Sequence, residues 1–178
     1  MQHIPDMAQY HCVNRSFGAG MSQITLDRTD LALLALLQRE GRLSNTDLAE
    51  RVRLSPSATL RRVQRLEAEG VIVGYGARLD PLTLGLGLQA FVRLQLSHHD
   101  KQAIAQFVAQ VEAWDEVVAC HALTGDMDYL LHVVVADLDH FSRFLLDHLL
   151  ASAGVADVNT SLVLRAVKQS HGLPLPRR

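Results

Sequence analysis

Three short segments with helical apolar spacing follow one another closely in the first half of the chain. Asp27, Ser44 and Ser55 precede these segments, and such side chains cap the exposed N–H groups of a first helical turn. Pro56, which is favoured in a first turn, follows Ser55, and Gly70 ends the third segment. Three capped, amphipathic helices joined by short turns predict a helix-turn-helix domain.

The charge of the chain is unevenly distributed. The formal net charge is −2, yet residues 51–65 contain five arginines and no acidic residue. Residues 86–178, in contrast, contain seven Lys and Arg against ten Asp and Glu. A basic surface that is local to this segment of the first half suits the phosphate backbone of DNA. The alternative is that these arginines only solvate an exposed helix.

The second half of the chain alternates strand and helix patterns. Alternating apolar residues predict a strand at 88–96, and runs of β-forming residues predict strands at 117–123, 129–135 and 158–167. Helical spacing predicts helices at 101–111 and 138–150. The order βαββαβ is the ferredoxin-like arrangement, an antiparallel sheet with two helices on one face. Because some strands are apolar at both parities, the second face is expected to be covered too, most simply by another subunit.

These patterns divide the chain into domains. Residues 71–79 are rich in β-forming residues and predict a short strand or wing that leads out of the helices. Residues near the N-terminus show no period, and Met21 is an alternative start. We predict four parts: a disordered leader at 1–21, the helix-turn-helix domain at 22–74, a linker or hinge strand at 75–86 and an α/β domain at 87–178.

The composition excludes several classes of protein. A hydrophobic fraction of 48% supplies enough apolar side chains for two modest cores. The apolar runs, such as that at 133–136, are too short to cross a bilayer, and the N-terminus lacks the pattern of a secretory signal. We therefore expect a cytoplasmic protein with no membrane partner.

Nine histidines raise the question of a metal site. His98-His99-Asp100 lies in a predicted loop, and a hairpin centred on residues 126 and 127 would place His121 directly opposite His132. Most metal sites need at least three converging ligands, and the sequence does not bring three together. We expect solvated or packed imidazoles and no metal.

Motifs in both halves resemble the Lrp/AsnC family, the feast/famine transcriptional regulators. The resemblance extends over residues 24–175, and its specificity comes from the order and spacing of several motifs. These are Leu26-Asp27-Arg28-Thr29-Asp30, Leu54-Ser55-Pro56, Leu60-Arg61-Arg62-Val63-Gln64-Arg65-Leu66-Glu67, Gly70-Val71-Ile72, Thr124-Gly125-Asp126-Met127-Asp128-Tyr129-Leu130-Leu131 and Val167-Lys168-Gln169-Ser170. The implied fold is α+β, with an N-terminal winged helix-turn-helix followed by a ferredoxin-like βαββαβ domain for effector sensing and oligomerisation.

The resemblance implies a sequence-specific transcriptional regulator of double-stranded DNA, whose third helix enters the major groove. Leu60, Val63 and Leu66 repeat every three residues and are expected to face inward. Hydroxyl and guanidinium groups at the start and on the other faces of the helix can reach bases or phosphates. The predicted DNA-binding residues are Ser55, Ser57, Thr59, Arg61, Arg62 and Arg65.

The resemblance also implies a small effector, most simply an amino acid, at the turn before residue 129. Gly125 permits close approach of the backbone, Thr124 offers a hydroxyl, and Asp126 or Asp128 can pair with the ammonium group. The alternative is a tight hairpin turn whose aspartates bond only to their own backbone. A homodimer is the expected minimum unit, and tetramers or octamers are the larger assemblies that the family resemblance implies.

Two other functions compete with this hypothesis. Some sirohaem-modifying decarboxylases resemble the same two-domain fold, but such an enzyme would need His and Arg gathered in a cavity. The basic third helix favours a regulator, so we predict no catalytic residues and no cofactor besides the effector. The other alternative is a sensor that has lost DNA binding and acts through partners.

Overall fold

The computed structural model describes residues 24–152, 154–168 and 172–176. These residues form two compact units. We call residues 24–76 with 172–176 the helical unit, and the described residues from 77 to 168 the sheet unit. The predicted leader at 1–21 lies outside the described residues.

The helical unit contains three helices, α1 at Arg28–Arg39, α2 at Asn45–Val52 and α3 at Pro56–Ala68. Their predicted caps are confirmed: Asp27 and Ser44 each take part in a capping box, and Ser55 accepts a hydrogen bond from the third residue of α3. Between α2 and α3 the chain turns through Arg53, whose φ of 57° lies in the left-handed region. This turn joins α2 and α3 as a helix-turn-helix.

The inward face of α3 differs from the prediction. Thr59 and Leu66 are fully buried and Val63 is half-buried, whereas Leu60 is 46% exposed. Residues spaced strictly by three move steadily around a helix, because one turn takes 3.6 residues. Thr59, Val63 and Leu66 are spaced by four and then three, and this spacing keeps them on one face. The prediction that Leu60 faces inward is therefore wrong, and Thr59 takes that place.

The end of α3 is closed by its own backbone. The N–H groups of Val71 and Ile72 both donate to the carbonyl of Leu66. Beyond them, residues 73–80 form no strand in the described structure, so the strand predicted within 71–79 is wrong. The Tyr75 hydroxyl instead donates to Glu67 at 2.8 Å, and burial followed by this contact raises the pKa of Tyr75 to about 12.

The sheet unit has the predicted order of elements. These are β1 at Leu88–Leu96, α4 at Lys101–Glu112, β2 at Val117–Ala122, β3 at Tyr129–Val135, α5 at Leu138–Phe144 with a π-helical extension at Leu145–Leu149, and β4 at Val155–Leu162. The four strands are antiparallel in the order β2-β3-β1-β4, which is the ferredoxin-like topology. The fold class is confirmed, although β4 begins and ends earlier than the predicted strand at 158–167.

One face of this sheet holds the core. Alternate residues of β1 and β3 are buried there against Phe107 of α4 and Phe141 and Phe144 of α5. Trp114 meets Phe144 edge to face, with ring centroids 5.6 Å apart. The alternation means that the intervening residues of β1 and β3 lie on the opposite face of the sheet.

The C-terminal segment at 172–176 belongs to the helical unit, whereas the sequence placed it with the second domain. The Gln38 carboxamide near the end of α1 donates to the carbonyl of Leu173 and accepts from its N–H. One amide side chain thus satisfies both backbone groups of Leu173, as a neighbouring strand would. Within the described part of the chain, no helix has the length and apolar character needed to span a membrane.

Candidate DNA-binding and effector sites

A buried carboxylate ties α3 to the start of α1. Asp30, which is only 1% exposed, accepts hydrogen bonds from Arg62 Nη1 at 2.9 Å and Arg65 Nη2 at 2.6 Å. Asp27 accepts a second bond from Arg62 Nη1 at 2.7 Å. The backbone N–H of Asp30, followed by the Arg62 guanidinium, lowers the pKa of Asp27, and the two aspartates raise the pKa of Arg62.

This network changes the interpretation of the basic run. Residues 51–65 contain no acidic residue, but in the folded protein acidic side chains of α1 lie next to the arginines of this segment. Arg51 is paired as well, through two hydrogen bonds to Glu40 of which the shorter is 2.7 Å. The predicted DNA contacts of Arg62 and Arg65 therefore compete with buried partners inside the protein.

Three predicted hydroxyl contacts are placed very differently. Thr59 is fully buried and its Oγ1 has no hydrogen-bond partner among the described residues, so its side chain does not reach the surface. Its prediction as a DNA-binding residue is wrong, because the helix turns it toward the core. Ser55 Oγ accepts from the N–H of Ala58 at 3.2 Å as the cap of α3. Ser57 is exposed, with its Oγ 3.2 Å from Ser55 Oγ.

The exposed face of α3 consists of residues spaced at i, i+3, i+4 and i+7. Arg61 lies on this face and makes no ion pair with any residue that the structure describes. The sequence prediction missed two members, and a helical projection centred on Thr59 and Leu66 would have found them. We call this set the recognition face: Ser57, Leu60, Arg61 and Gln64.

At the predicted effector turn, the Asp128 side chain is hydrogen-bonded within the protein. Its carboxylate accepts from the N–H of Leu96 at 2.7 Å and lies 2.9 Å from His99 Nε2, and its own N–H donates to the carbonyl of Leu94. Asp128 therefore holds the turn to β1, in a structural role close to the alternative hypothesis. The other three candidates, Thr124, Gly125 and Asp126, are exposed, and Gly125 has a φ of 116° that favours glycine.

A shallow cavity of about 190 Å³ lies in the helical unit. Apolar side chains from all three helices line it, together with Asn45 and Tyr75. Asn45 donates to the carbonyl of Pro56, whereas its buried Oδ1 has no partner among the described residues. The predicted effector residues do not line this cavity.

The face of the sheet opposite the core carries an aromatic pair. Phe91, which is 40% exposed, stacks on His132 with ring centroids 4.7 Å apart. His132 is opposite Ala119, and His121 is opposite Leu130, because the hairpin is centred between Gly125 and Asp126, one residue earlier than predicted. The prediction that the two histidines are directly opposite is therefore wrong, although they share a face. Burial, followed by the charge of His121, lowers the pKa of His132.

The described residues contain no group of three or more His, Cys, Asp or Glu side chains that could hold a metal ion. His99 and Asp128 are close, but they form a pair. The absence of a metal ion stays a prediction.

The fold and these surfaces define a class of protein: a helix-turn-helix DNA-binding domain joined to a ligand-binding α/β domain. The family described as winged helix-turn-helix DNA-binding matches residues 26–73, and that described as the Lrp/AsnC ligand-binding domain matches residues 89–173. The chain is 42% identical to the leucine-responsive regulatory protein of Salmonella typhimurium over 153 residues, which is 86% of this chain and 93% of that protein. The chain belongs to the Lrp/AsnC family of transcriptional regulators.

Solved structures agree with this assignment. A transcriptional regulator of Neisseria meningitidis in complex with L-methionine has 47% identity and a TM-score of 0.81, over 84% of this chain and 97% of that one. An AsnC-family transcriptional regulator of Agrobacterium tumefaciens has 32% identity and a TM-score of 0.79, with the same coverage. The predicted family and fold are confirmed, as is the predicted function of an effector-modulated, DNA-binding transcriptional regulator.

The substitution Asp30→Asn should destabilise the helical unit by about 1–3 kcal/mol, a range reduced because both arginines are partly exposed. The amide leaves Arg62 and Arg65 without their buried anion. Asp47→Asn is the matched control, since Asp47 holds the same capping-box position in α2 but is exposed. Urea unfolding measures both variants, and equal losses would contradict a stabilising role for the arginine network.

Proposed function

We propose that this regulator binds DNA through the recognition face of α3, with Arg61 as its main cationic contact. The observation that carries the proposal is the division among the arginines: α1 holds Arg62 and Arg65, whereas Arg61 is exposed and makes no ion pair with a described residue. Ser57 lies one turn earlier, near the N-terminal end that a helix-turn-helix directs at base edges. Ser55 contributes through the cap that fixes the start of α3.

The substitution Arg61→Ala should weaken DNA binding and flatten its salt dependence by about one unit of slope for each half-site bound, because each copy of α3 loses one phosphate or guanine contact. Arg143→Ala removes an exposed arginine of the sheet unit and is the control. Fluorescence anisotropy over a series of salt concentrations gives both slopes. A wild-type slope in Arg61→Ala would contradict the assignment.

We further propose that the effector is an amino acid bound at the turn formed by Thr124, Gly125 and Asp126. These residues are exposed, and together they offer a hydroxyl, a closely approachable backbone and a carboxylate. Similar proteins support this choice, since one is named for its response to leucine and another was solved with L-methionine. Asp128 acts indirectly in this proposal, because it holds the turn to β1.

One or a few of the twenty amino acids should raise the melting temperature of the purified protein, because a ligand that binds the folded state stabilises it. The shift should be lost in Asp126→Asn and kept in Asp139→Asn, which alters an exposed carboxylate of α5. Differential scanning fluorimetry measures these shifts. A shift that survives in Asp126→Asn would contradict the proposed site, and no shift with any amino acid would contradict the proposed class of effector.

We also propose that two chains pair through the open face of the sheet, and that tetramers or octamers form from such dimers. Phe91 is exposed there beside the half-buried Leu130 and Val134. Exposed apolar side chains on a sheet face favour association with a second copy, because the contact removes them from water. A dimer also presents two copies of α3 to a pseudo-palindromic site.

The substitution Phe91→Lys should lower the mass of the assembly at micromolar concentration, because it places a charge in the proposed interface. Val73→Lys, at a position 80% exposed in the helical unit, is the control. Sedimentation equilibrium measures the mass. An unchanged assembly in Phe91→Lys would contradict pairing through this face.

We propose that the protein acts on DNA in the cytoplasm and does so without catalysing a reaction. The relatives named above are transcriptional regulators. A decarboxylase of the alternative class needs His and Arg gathered in a cavity, whereas the two cavities described in the helical unit are lined by no histidine and by one arginine, Arg42.

A further inference from the structure

We infer that Gln64 and Leu60 determine operator specificity by reading A·T base pairs in the major groove. The inference rests on the proposed DNA binding by the recognition face and adds the class of bases it selects. Both residues are exposed on α3, and the sequence pattern alone had assigned neither to DNA.

The position of the two residues supports base contact. Together with Ser57 and Arg61 they follow the spacing i, i+3, i+4 and i+7, by which the recognition helix of a homeodomain reads the major groove. The opposite side of α3 is fixed, because Thr59 and Leu66 are buried. Arg62 and Arg65 are held to one flank by Asp30. The helix therefore has one face left for the groove, and Gln64 lies one turn beyond Leu60 on it.

The chemistry of Gln64 selects adenine. A carboxamide carries one acceptor oxygen and one donor NH₂ group, which match the N6–H donor and the N7 acceptor of adenine. Guanine presents two acceptors at the same edge and satisfies only the NH₂ group. The Gln64 carboxamide makes no side-chain hydrogen bond with any residue that the structure describes, so it is available to a base.

The chemistry of Leu60 selects thymine. The Leu60 side chain is 46% exposed, and its buried part lines the cavity of the helical unit. These apolar contacts hold the side chain in place. A leucine brought into the major groove loses water and cannot bond to the polar base edges. The C5-methyl group of thymine is the apolar feature of that groove, so contact with it is favourable. Arg61, between them in sequence, suits guanine or phosphate.

Atomic substitution in the DNA tests each contact. An operator is selected from random duplexes with the wild-type protein, and each adenine is then replaced by 7-deazaadenine and each thymine by deoxyuridine. We expect wild-type affinity to fall about tenfold at one adenine per half-site, where a bidentate contact is broken. We expect it to fall roughly fourfold at a neighbouring thymine, where one methyl contact is lost.

The variants assign these losses to residues. Gln64→Ala should be insensitive to 7-deazaadenine at that adenine but keep the response to deoxyuridine, and Leu60→Ala should show the reverse. Gln106→Ala, which alters an exposed glutamine of α4, should respond like the wild type. Melting temperatures measured in parallel show that each variant is folded.

The outcomes separate the inference from the proposed function. If a sequence is selected but Gln64→Ala and Leu60→Ala keep every wild-type response, the inference is overturned and DNA binding stands. If no sequence is enriched, sequence-specific binding by α3 fails, and the inference fails with it.

Discussion

The buried carboxylate of Asp30 is the interaction on which the helical unit depends. A carboxylate that is 1% exposed is tolerated only when it is paired and hydrogen-bonded. Asp30 meets this condition through Arg62 and Arg65, while it completes the capping box of α1 with Asp27. The same group therefore fixes where α1 begins and how α3 is rotated about its axis.

That rotation decides what the protein presents to DNA. Once Arg62 and Arg65 are held by α1, the recognition face carries one cation, Arg61, among a hydroxyl, an amide and an apolar side chain. Phosphate attraction alone gives binding without sequence preference, whereas groups that match base edges give specificity. A recognition face with few charges and varied chemistry is suited to discriminate among sequences.

The sequence predicted the features that depend on neighbouring residues. Caps such as Ser44 act within one helical turn. The runs of strand-forming residues place β1 and β3 at their observed bounds, so caps and strands both follow from the local sequence. The pairing of Asp30 with Arg65 spans 35 positions and has no local signal. Leu60 was assigned to the wrong face because a spacing of three was taken as constant along the helix. In the sheet, the register that places His132 opposite Ala119 is a property of the hairpin pairing and not of either strand alone.

The effector turn shows the same division between local and non-local control. Gly125 and the neighbouring aspartates mark a turn from sequence, but only the fold shows that Asp128 is bonded to β1 and that Asp126 is exposed. The central claim, that α1 holds two arginines so that the recognition face alone reads bases, is tested most directly by a crystal structure of the protein bound to its selected operator. We predict Arg62 and Arg65 on Asp30, with Gln64 at a base edge and Arg61 on guanine or phosphate. Release of both arginines from Asp30 onto the DNA would contradict the account.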